Sequence, residues 1–447
     1  MLGIIDTNND PYINLSNSEQ QAIKQTGLFP NSPRMNMEDW TLLRNYIIAM
    51  APDSLVSSNE NKKPQELVQF IHKAINLDST PGTYITHLKY NKQKNSITSA
   101  DMSGNIMQYN FEKNNTTTNK KIRPAITDIT ETNTLKYITI VGELYPSEIA
   151  NGRIEIISKD SLEQIPFPLQ RPVNTVVDDL NRNGKKELVV SEFGNLTGKL
   201  SLLKKTKRHG YEKKTLLNMS GCIRTIVQDM NGDGKQDLVT LTSQGREGVT
   251  ILYQKENLEF VAENVLKFSP VYGSSWFELV DYDNDGDFDI VTVNGDNADK
   301  SFVQKPYHGL RIYINNGNNN FEEKYFFAVN GATRVVSNDF DLDGDIDFGI
   351  VSTFPDYEKK PGYSFVYLEN KTSENFQFNP FTFKNSKLGN WFLMDIGDVD
   401  KDGDQDIILS SFSHPFAKAP KHLTEAWKTS NIDLMLLENK TIHHLDE

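Results

Sequence analysis

The sequence predicts an all-β chain: a seven-bladed β-propeller of four-stranded antiparallel blades, preceded by a short α-helical N-terminal segment. Three observations carry that prediction. A nine-residue Asp-rich loop with one Gly is written five times, and the first Asp residues of the copies stand 50, 52, 58 and 59 positions apart. Each copy runs straight into a strand-like stretch: Leu-Val-Val, Leu-Val-Thr, Ile-Val-Thr, Phe-Gly-Ile and Ile-Ile-Leu. A period of this size built from short strands suits a propeller blade.

In chain order, residues 1–65 have a different texture. Helical spacing is legible over Asn17–Thr26 and over 37–51, where Trp40, Leu43, Tyr46, Ile47 and Met50 fall on one side. Asn36 is one cap for the second helix; Ser32, with Pro33 at the first helical position, is the other. The propeller is expected over 66–447. Residues 66–76 read as a strand that closes the last blade from outside, with a helix over 64–75 as the competing reading. Closure matters because an open sheet edge invites aggregation.

The first blade is expected at 83–90, 96–100 and 105–110, and the second at 124–129, 137–142 and 152–158. Neither has the loop spacing, and neither is assigned a metal. The unit around 281 parses fully: strands at 275–281, 288–293 and 309–315, a tight turn at 317–320, and an outer strand at 321–329. The last blade reads as 390–397, 407–411 and 431–437, and the chain ends without a fourth strand for it.

The loops themselves are Asp179-Leu-Asn181-Arg-Asn183-Gly184-Lys-Lys-Glu187 and Asp229-Met-Asn231-Gly-Asp233-Gly234-Lys-Gln-Asp237, then Asp281-Tyr-Asp283-Asn-Asp285-Gly286-Asp-Phe-Asp289. Asp339-Phe-Asp341-Leu-Asp343-Gly344-Asp-Ile-Asp347 and Asp398-Val-Asp400-Lys-Asp402-Gly403-Asp-Gln-Asp406 complete the set. Calcium takes six to eight oxygens at roughly 2.3–2.6 Å. Short side chains at positions 1, 3 and 5 can turn inward on one point, and Gly at position 6 permits a positive φ. Position 7 can offer its carbonyl, and the acid at position 9 closes the shell. An EF-hand closes at position 12 and continues as a helix; these loops close at 9 and continue as strand.

Asp, Asn and Gly are also ordinary turn formers. Repetition in register, and the repulsion among up to four carboxylates on nine residues, favour the ion. Positions 1, 3, 5 and 9 carry two carboxylates in the 179 loop, three in the 229 loop and four in each later loop, so the 179 site is expected to be weakest. Five Ca2+ ions would move the formal net charge from −13 to −3.

Composition bounds the rest. The chain has 447 residues, is 37% hydrophobic and 10% aromatic, and has no run of about 18 apolar residues that would span a membrane. The basic stretch Lys204-Lys205-Thr-Lys207-Arg208 sits at an expected hairpin turn on an acidic body and reads as a solvated turn, so no nucleic-acid partner is expected. Haem attachment needs Cys-x-x-Cys-His, and the only cysteine is Cys222. No His-Glu-x-x-His, Gly-x-Ser-x-Gly or phosphate-cradling motif is present.

In such a blade the loop between the first two strands shares a face with the turn between the last two. The remaining loops share the opposite face, where they lengthen in the last three blades. That face gathers Tyr272, Trp276, Asp296, Tyr307, His308, Arg334, Asp356, Tyr357, Trp391 and His414 as candidate ligand-binding residues. Aromatics grouped with His, Asp and Arg at a mouth suit binding; packing of long loops against one another accounts for them equally well. His308, His414, Asp296, Asp356 and Arg334 could also make an acid/base group, though nothing in their spacing requires one.

The repeated Asp-x-Asp/Asn-x-Asp/Asn-Gly-x-x-Asp/Glu motif with its following strand resembles the FG-GAP or VCBS repeat family, which includes integrin alpha head domains. More narrowly it resembles VCBS-repeat proteins of Bacteroidetes-type bacteria. Ser191-Glu-Phe193-Gly194 keeps the Phe-Gly step, from which the other blades depart. The resemblance implies a calcium-rigidified scaffold for extracellular recognition or adhesion, with a protein or glycan as ligand. The first 65 residues resemble the last helices of a c-type cytochrome module, which would imply electron transfer, but haem is not supported. A carbohydrate lyase or hydrolase working through the same face is the alternative. Met1-Leu-Gly-Ile-Ile-Asp has neither the basic start nor the apolar stretch of a leader. Because such loops would fill poorly at cytosolic calcium, the expectation is an extracytoplasmic protein whose leader lies outside this sequence. The oligomeric state is not legible.

Overall fold

In the computed structural model, which describes residues 15–29, 35–51, 62–159, 161–206, 210–296, 305–414 and 419–442, seven sheets form a closed ring. Two strands come first: β1 (Gln65–Glu66) and β2 (Phe70–Ile75). Blade 1 is β3 (Ile85–Asn91), β4 (Ser96–Asp101), β5 (Asn105–Asn110) and β6 (Asn115–Lys121). Blade 2 is β7 (Ile126–Glu131), β8 (Lys136–Ile140), β9 (Arg153–Ile157) and β10 (Leu162–Gln164). Blade 3 is β11 (Pro172–Asp178), β12 (Glu187–Glu192), β13 (Lys199–Thr206) and β14 (Gly210–Leu217).

Blade 4 is β15 (Cys222–Gln228), β16 (Asp237–Thr242), β17 (Gly248–Gln254) and β18 (Phe260–Lys267). Blade 5 is β19 (Ser274–Val280), β20 (Asp289–Asn294), β21 (Gly309–Asn315) and β22 (Phe321–Ala328). Blade 6 is β23 (Ala332–Asn338), β24 (Asp347–Ser352), β25 (Phe365–Thr372) and β26 (Gln377–Thr382). Blade 7 takes β27 (Trp391–Gly397), β28 (Asp406–Ser411) and β29 (Leu434–Asn439) from the C-terminal end and β2 as its outer strand.

The seam between the chain's ends is therefore a ladder. Phe70 pairs with Asn439 and Ile75 with Leu434 in antiparallel register. Upstream, β1 lies parallel to β26, Gln65 opposite Phe381, so one N-terminal strap crosses the edges of two neighbouring blades. Only Phe70 and Ile75 of β2 are buried. An outer strand packs little, which explains the mixed hydrophobic pattern of this stretch.

The second strands are the reverse case. In β12, β16, β20, β24 and β28 every residue is buried, because blades pack on both faces of that strand. This is why the residues after each acidic loop form an uninterrupted apolar run instead of an alternating one. Truncating such a residue, Ile407 for example, costs about 2–5 kcal/mol through lost burial and the cavity left behind.

The innermost strands β3, β7, β11, β15, β19, β23 and β27 each touch the next around the axis, β27 returning to β3. Each has a register shift near its start: between Ile85 and His87, Ile126 and Asp128, Pro172 and Asn174, Cys222 and Arg224, Ser274 and Trp276, Ala332 and Arg334, and Trp391 and Met394. A bulge re-aims the side chain that follows it; after three of these shifts Arg224, Trp276 and Arg334 meet across neighbouring blades.

Helix α1 (Asn17–Thr26) starts with a capping box between Ser16 and Glu19. Helix α2 (Met37–Met50) is capped by Asn36, whose Oδ1 accepts from Asp39 N at 2.8 Å; Ser32 and Pro33 lie outside the described residues. The long connection after β28 contains a helix the sequence did not announce, α3 (Lys421–Thr429). Gly194, in the Phe193-Gly194 step, has φ +67, and a Cβ there would stand 1.6 Å from the Thr197 carbonyl oxygen. Cys222 is buried at the start of β15, where burial pushes its thiol up to about 12.

Candidate functional site

Each acidic loop bridges the first and second strands of blades 3 to 7, and its backbone turns twice. Position 4 has positive φ in every copy: Arg182 (56°), Gly232 (70°), Asn284 (58°), Leu342 (61°) and Lys401 (67°). The Gly at position 6 is also left-handed, from 81° at Gly234 to 106° at Gly403. In the first four loops the first Asp holds the turn: its oxygens accept from the backbone of positions 3 to 6, as in Asn183 N to Asp179 Oδ1 at 2.9 Å and Gly234 N to Asp229 Oδ2 at 2.7 Å. The same bonds link Asp285 and Gly286 to Asp281, and Asp343 and Gly344 to Asp339, at 3.0–3.1 Å.

The closing acid is a buried structural hub. Glu187, Asp237, Asp289, Asp347 and Asp406 are at most 1% exposed. One oxygen of each accepts the backbone N–H of position 2, on Leu180, Met230, Tyr282, Phe340 and Val399, at 2.7–3.2 Å. In blades 4 to 7 the other oxygen accepts the N–H of a residue at or near the end of the third strand: Gln254, Asn315, Asn370 or Asn439, at 2.7–2.8 Å. In blade 3 the same place is filled by Lys205, next to the Lys204 that pairs with Glu187. That loop lacks the amide anchor as well as two carboxylates.

Position 2 is apolar in all five loops and buried, from 0% exposed at Tyr282 and Phe340 to 9% at Met230. The following blade reaches back to it. Gln254 Nε2 donates to Leu180 O (3.0 Å), Asn319 Nδ2 to Met230 O (2.7 Å), Asn370 Nδ2 to Tyr282 Oη (3.2 Å) and Asn439 Nδ2 to Phe340 O (2.8 Å). Asn95 Nδ2 of blade 1 donates to Val399 O (2.9 Å), carrying the series across the seam.

The donor set suits a hard cation. Carboxylate oxygens of Asp281, Asp283 and Asp285 converge within 4.8 Å of one another, as do those of Asp339, Asp341 and Asp347, and those of Asp398, Asp400 and Asp406. Asp398 Oδ1 is buried and accepts no hydrogen bond. Burial pushes the Asp289 carboxyl up to about 6 and those of Asp347 and Asp406 up to about 8; neighbouring loop carboxylates push the same way. Asp341 is likewise pushed up to about 6 by burial and by Asp343. Crowded, desolvated carboxylates with few cationic partners are what a divalent ion relieves. A carboxylate has about four acceptor sites, so the hub acids can hold their N–H groups and still ligate. Asp404, at position 7 of the last loop, was missed by sequence reasoning: its side chain is 1% exposed and lies against Asp402. Asp179, Asn181, Asn183, Asn231 and Asp233 occupy the matching positions of two loops that have no three-acid cluster among the described residues, and Asp402 lies outside the cluster of its own loop.

On the opposite face the ten candidate residues divide. Tyr272 and Tyr307 stack, centroids 5.7 Å apart at 28°, with the Arg311 guanidinium 4.3 Å from the Tyr272 ring. Trp276 stands in the channel wall with Arg224 3.9 Å and Arg334 4.5 Å from its ring. Asp296 and His414 are exposed, and Asp356 is half-buried and caps its own turn, accepting from Lys359 N at 3.0 Å. The other three pack inward. Trp391 is fully buried and donates to Ser386 O at 2.6 Å, and Tyr357 packs on buried Trp427, centroids 5.6 Å apart.

His308 is fully buried too, and burial together with Lys305 and Arg311 holds its imidazole down to about 3. Phe302 and Phe416 of the long loops lie outside the described residues.

The channel wall contains further residues that sequence reasoning missed. Arg224 makes a bidentate pair with Glu278 (2.9 and 3.1 Å), which also accepts from Trp276 Nε1. Asp128 takes Asn174 Nδ2 (3.1 Å) and stands 3.4 Å from His87 Nδ1. A signal existed: Asn174, Arg224, Trp276 and Arg334 each lie five residues before the first Asp of a loop.

Residues 229–292, which hold the second and third acidic loops, match the FG-GAP-like repeat family. No curated protein matches the chain. Among solved structures it is similar to the Cps50 (Swd1) β-propeller domain of Myceliophteria thermophila at 8% identity and a TM-score of 0.48, covering 82% of this chain and 99% of that one. It is also similar to the WD40 domain of SCAP from fission yeast, at 11% identity and TM-score 0.41 over 78% of this chain and 88% of that one. A third is the calcium-binding protein regucalcin from Agrobacterium tumefaciens, at 10% identity and TM-score 0.40 over 66% of this chain and 92% of that one.

Proposed function

We propose that this chain is a calcium-stabilised β-propeller acting as an extracytoplasmic recognition or adhesion scaffold, which binds a protein or glycan through the face opposite its acidic loops. The observation that carries the reading is the convergence of three carboxylates in each of three loops, with their ninth-position acids buried. Calcium would be held by the oxygens of positions 1, 3, 5 and 9, with up to five ions in all. The ion would supply the positive charge that lets these bends stay ionised inside the ring, and the hub acids would pass that order to the third strands. Residues 66–447 form the scaffold in this reading, and the helices within 1–65 precede it.

The extracytoplasmic location is part of the proposal: extracellular calcium modules work at about 10⁻⁴–10⁻³ M, concentrations that the cytosol does not supply. Among the described residues no helix is long and apolar enough to cross a membrane. The ligand reading is supported by the Tyr272–Tyr307 pair, half-buried at the mouth. Of the acid/base candidates, His308 is fully buried, and that burial holds its imidazole down to about 3. The test is thermal melting in calcium and in excess EGTA: a steep drop on chelation supports the reading, and superimposable curves end it. Tyr307→Ala should weaken capture of the ligand while leaving the melt unchanged.

A further inference from the structure

The two arginines beside Trp276 differ in how their charge is met. Arg224 has Glu278 as a bidentate partner in the next blade. Arg334 has no carboxylate within ion-pair distance among the described residues. The corresponding acid in its next blade, Asp395, is taken by Tyr90 N (2.7 Å) and Lys89 (3.2 Å) of blade 1. Its own strand offers Val336 two residues on, where blade 5 has Glu278. Arg334 donates one Nη to the Thr333 carbonyl (2.7 Å), rests on Trp276 and lies 5.7 Å from the Phe392 ring, while its Nε is buried without a hydrogen-bond partner.

Withdrawing a guanidinium from water beside a second one is costly unless an anion faces it. Asp296 acts on it only at longer range, and burial is strong enough to pull Arg334 down to about 10. We propose that the axial channel between blades 5 and 7 is a binding site for a carboxylate, held by Arg334 against Trp276. Arg forks match carboxylates and phosphates alike. A singly charged carboxylate fits better here, because Glu278 at Trp276 and Asp296 at longer range already bring negative charge and would repel a doubly charged phosphate. The carboxylate can come from a free organic acid or from a uronic-acid residue of a glycan. The inference deepens the ligand-face reading and rests on it only for what carries the carboxylate.

The experiment is thermal melting of the calcium-loaded full chain in sodium acetate, sodium galacturonate or neutral galactose, at matched ionic strength, for wild type and Arg334→Met. The expected result is a rise in melting temperature for wild type with one or both carboxylates, none with galactose, and none for Arg334→Met. A response to acetate and galacturonate alike points to a free acid, and a response to galacturonate alone to a glycan. Without any carboxylate, Arg334→Met should melt no lower than wild type, because an unmatched charge has been replaced by an apolar chain. No response in wild type, or the same response in the variant, overturns the site. Loss of ligand capture in Tyr307→Ala tests the ligand-face reading separately, so the two can fail independently.

Discussion

Asn95 in the first blade donates its side-chain amide to the carbonyl of Val399 in the last, at 2.9 Å. Asn439 does the same to Phe340, and Gln254 to Leu180. Blade 1 has no acidic loop, yet it keeps the contact that each acidic loop receives from its successor. The ring is thus closed twice, by the β2–β29 ladder on its rim and by this amide near the loop face.

Asn95→Leu should lower unfolding free energy by about 1–3 kcal/mol, since it leaves the buried Val399 carbonyl without a donor. Urea denaturation in saturating calcium measures it. A loss below a few tenths of a kcal/mol would remove Asn95 from the account of closure.

Calcium should stabilise the sites unequally. A site at a hundredfold its Kd adds about 2.7 kcal/mol. Asp339→Asn should therefore forfeit a term of that order in the calcium-dependent part of stability, while Asp179→Asn, in the loop with two carboxylates and no amide anchor, should forfeit little. Chemical denaturation with and without calcium gives both numbers. Equal losses would show that carboxylate count does not rank these loops.

Acid should reveal His308. Its folded-state value near 3 lies below the ordinary 6.5, so between those values the unfolded chain takes up a proton that the folded chain refuses. The stability this residue contributes is complete above about pH 6.5 and is lost progressively as pH falls toward 3. His308→Gln lacks the component. The difference between the two stability-versus-pH curves should be flat above 6.5 and slope below it; a flat difference throughout would place the imidazole in contact with water.

Leu342 holds φ 61° at position 4 of the blade 6 loop and is 45% exposed. A branched side chain in the left-handed region costs roughly 1–2 kcal/mol, and Asn, which Asn284 supplies at the same position in blade 5, tolerates it better. Leu342→Asn should raise stability by up to about 1 kcal/mol in calcium, read as a higher urea midpoint at unchanged slope. A lower midpoint would mean that the Leu342 side chain contributes packing that outweighs the strain.

Five blades were legible because the acidic loops repeat in register and their second strands are apolar without interruption, as β16 and β28 illustrate, and the first two from strand segments at 83–110 and 124–158 that lack the loop. The short helices were legible too, from spacing and from caps such as Asn36. Helix α3 was hidden in a polar loop stretch, and Phe302 and Phe416 fall outside the described residues. Trp391, His308 and Tyr357 looked like mouth residues because aromatic and imidazole side chains serve binding and packing equally. Only their burial separates the two uses.

By itself, then, the sequence determined periodicity: where the chain turns, which nine residues crowd carboxylates together, and which strand after each turn is apolar throughout. The tertiary structure decided neighbours. That Asn95 meets Val399, that Arg224 has Glu278 while Arg334 has no carboxylate within ion-pair distance among the described residues, and that the ninth-position acids are buried hubs all depend on bringing together residues tens to hundreds of positions apart. Local sequence sets backbone geometry over a few residues, whereas desolvation and charge pairing are properties of whatever the closed ring places alongside.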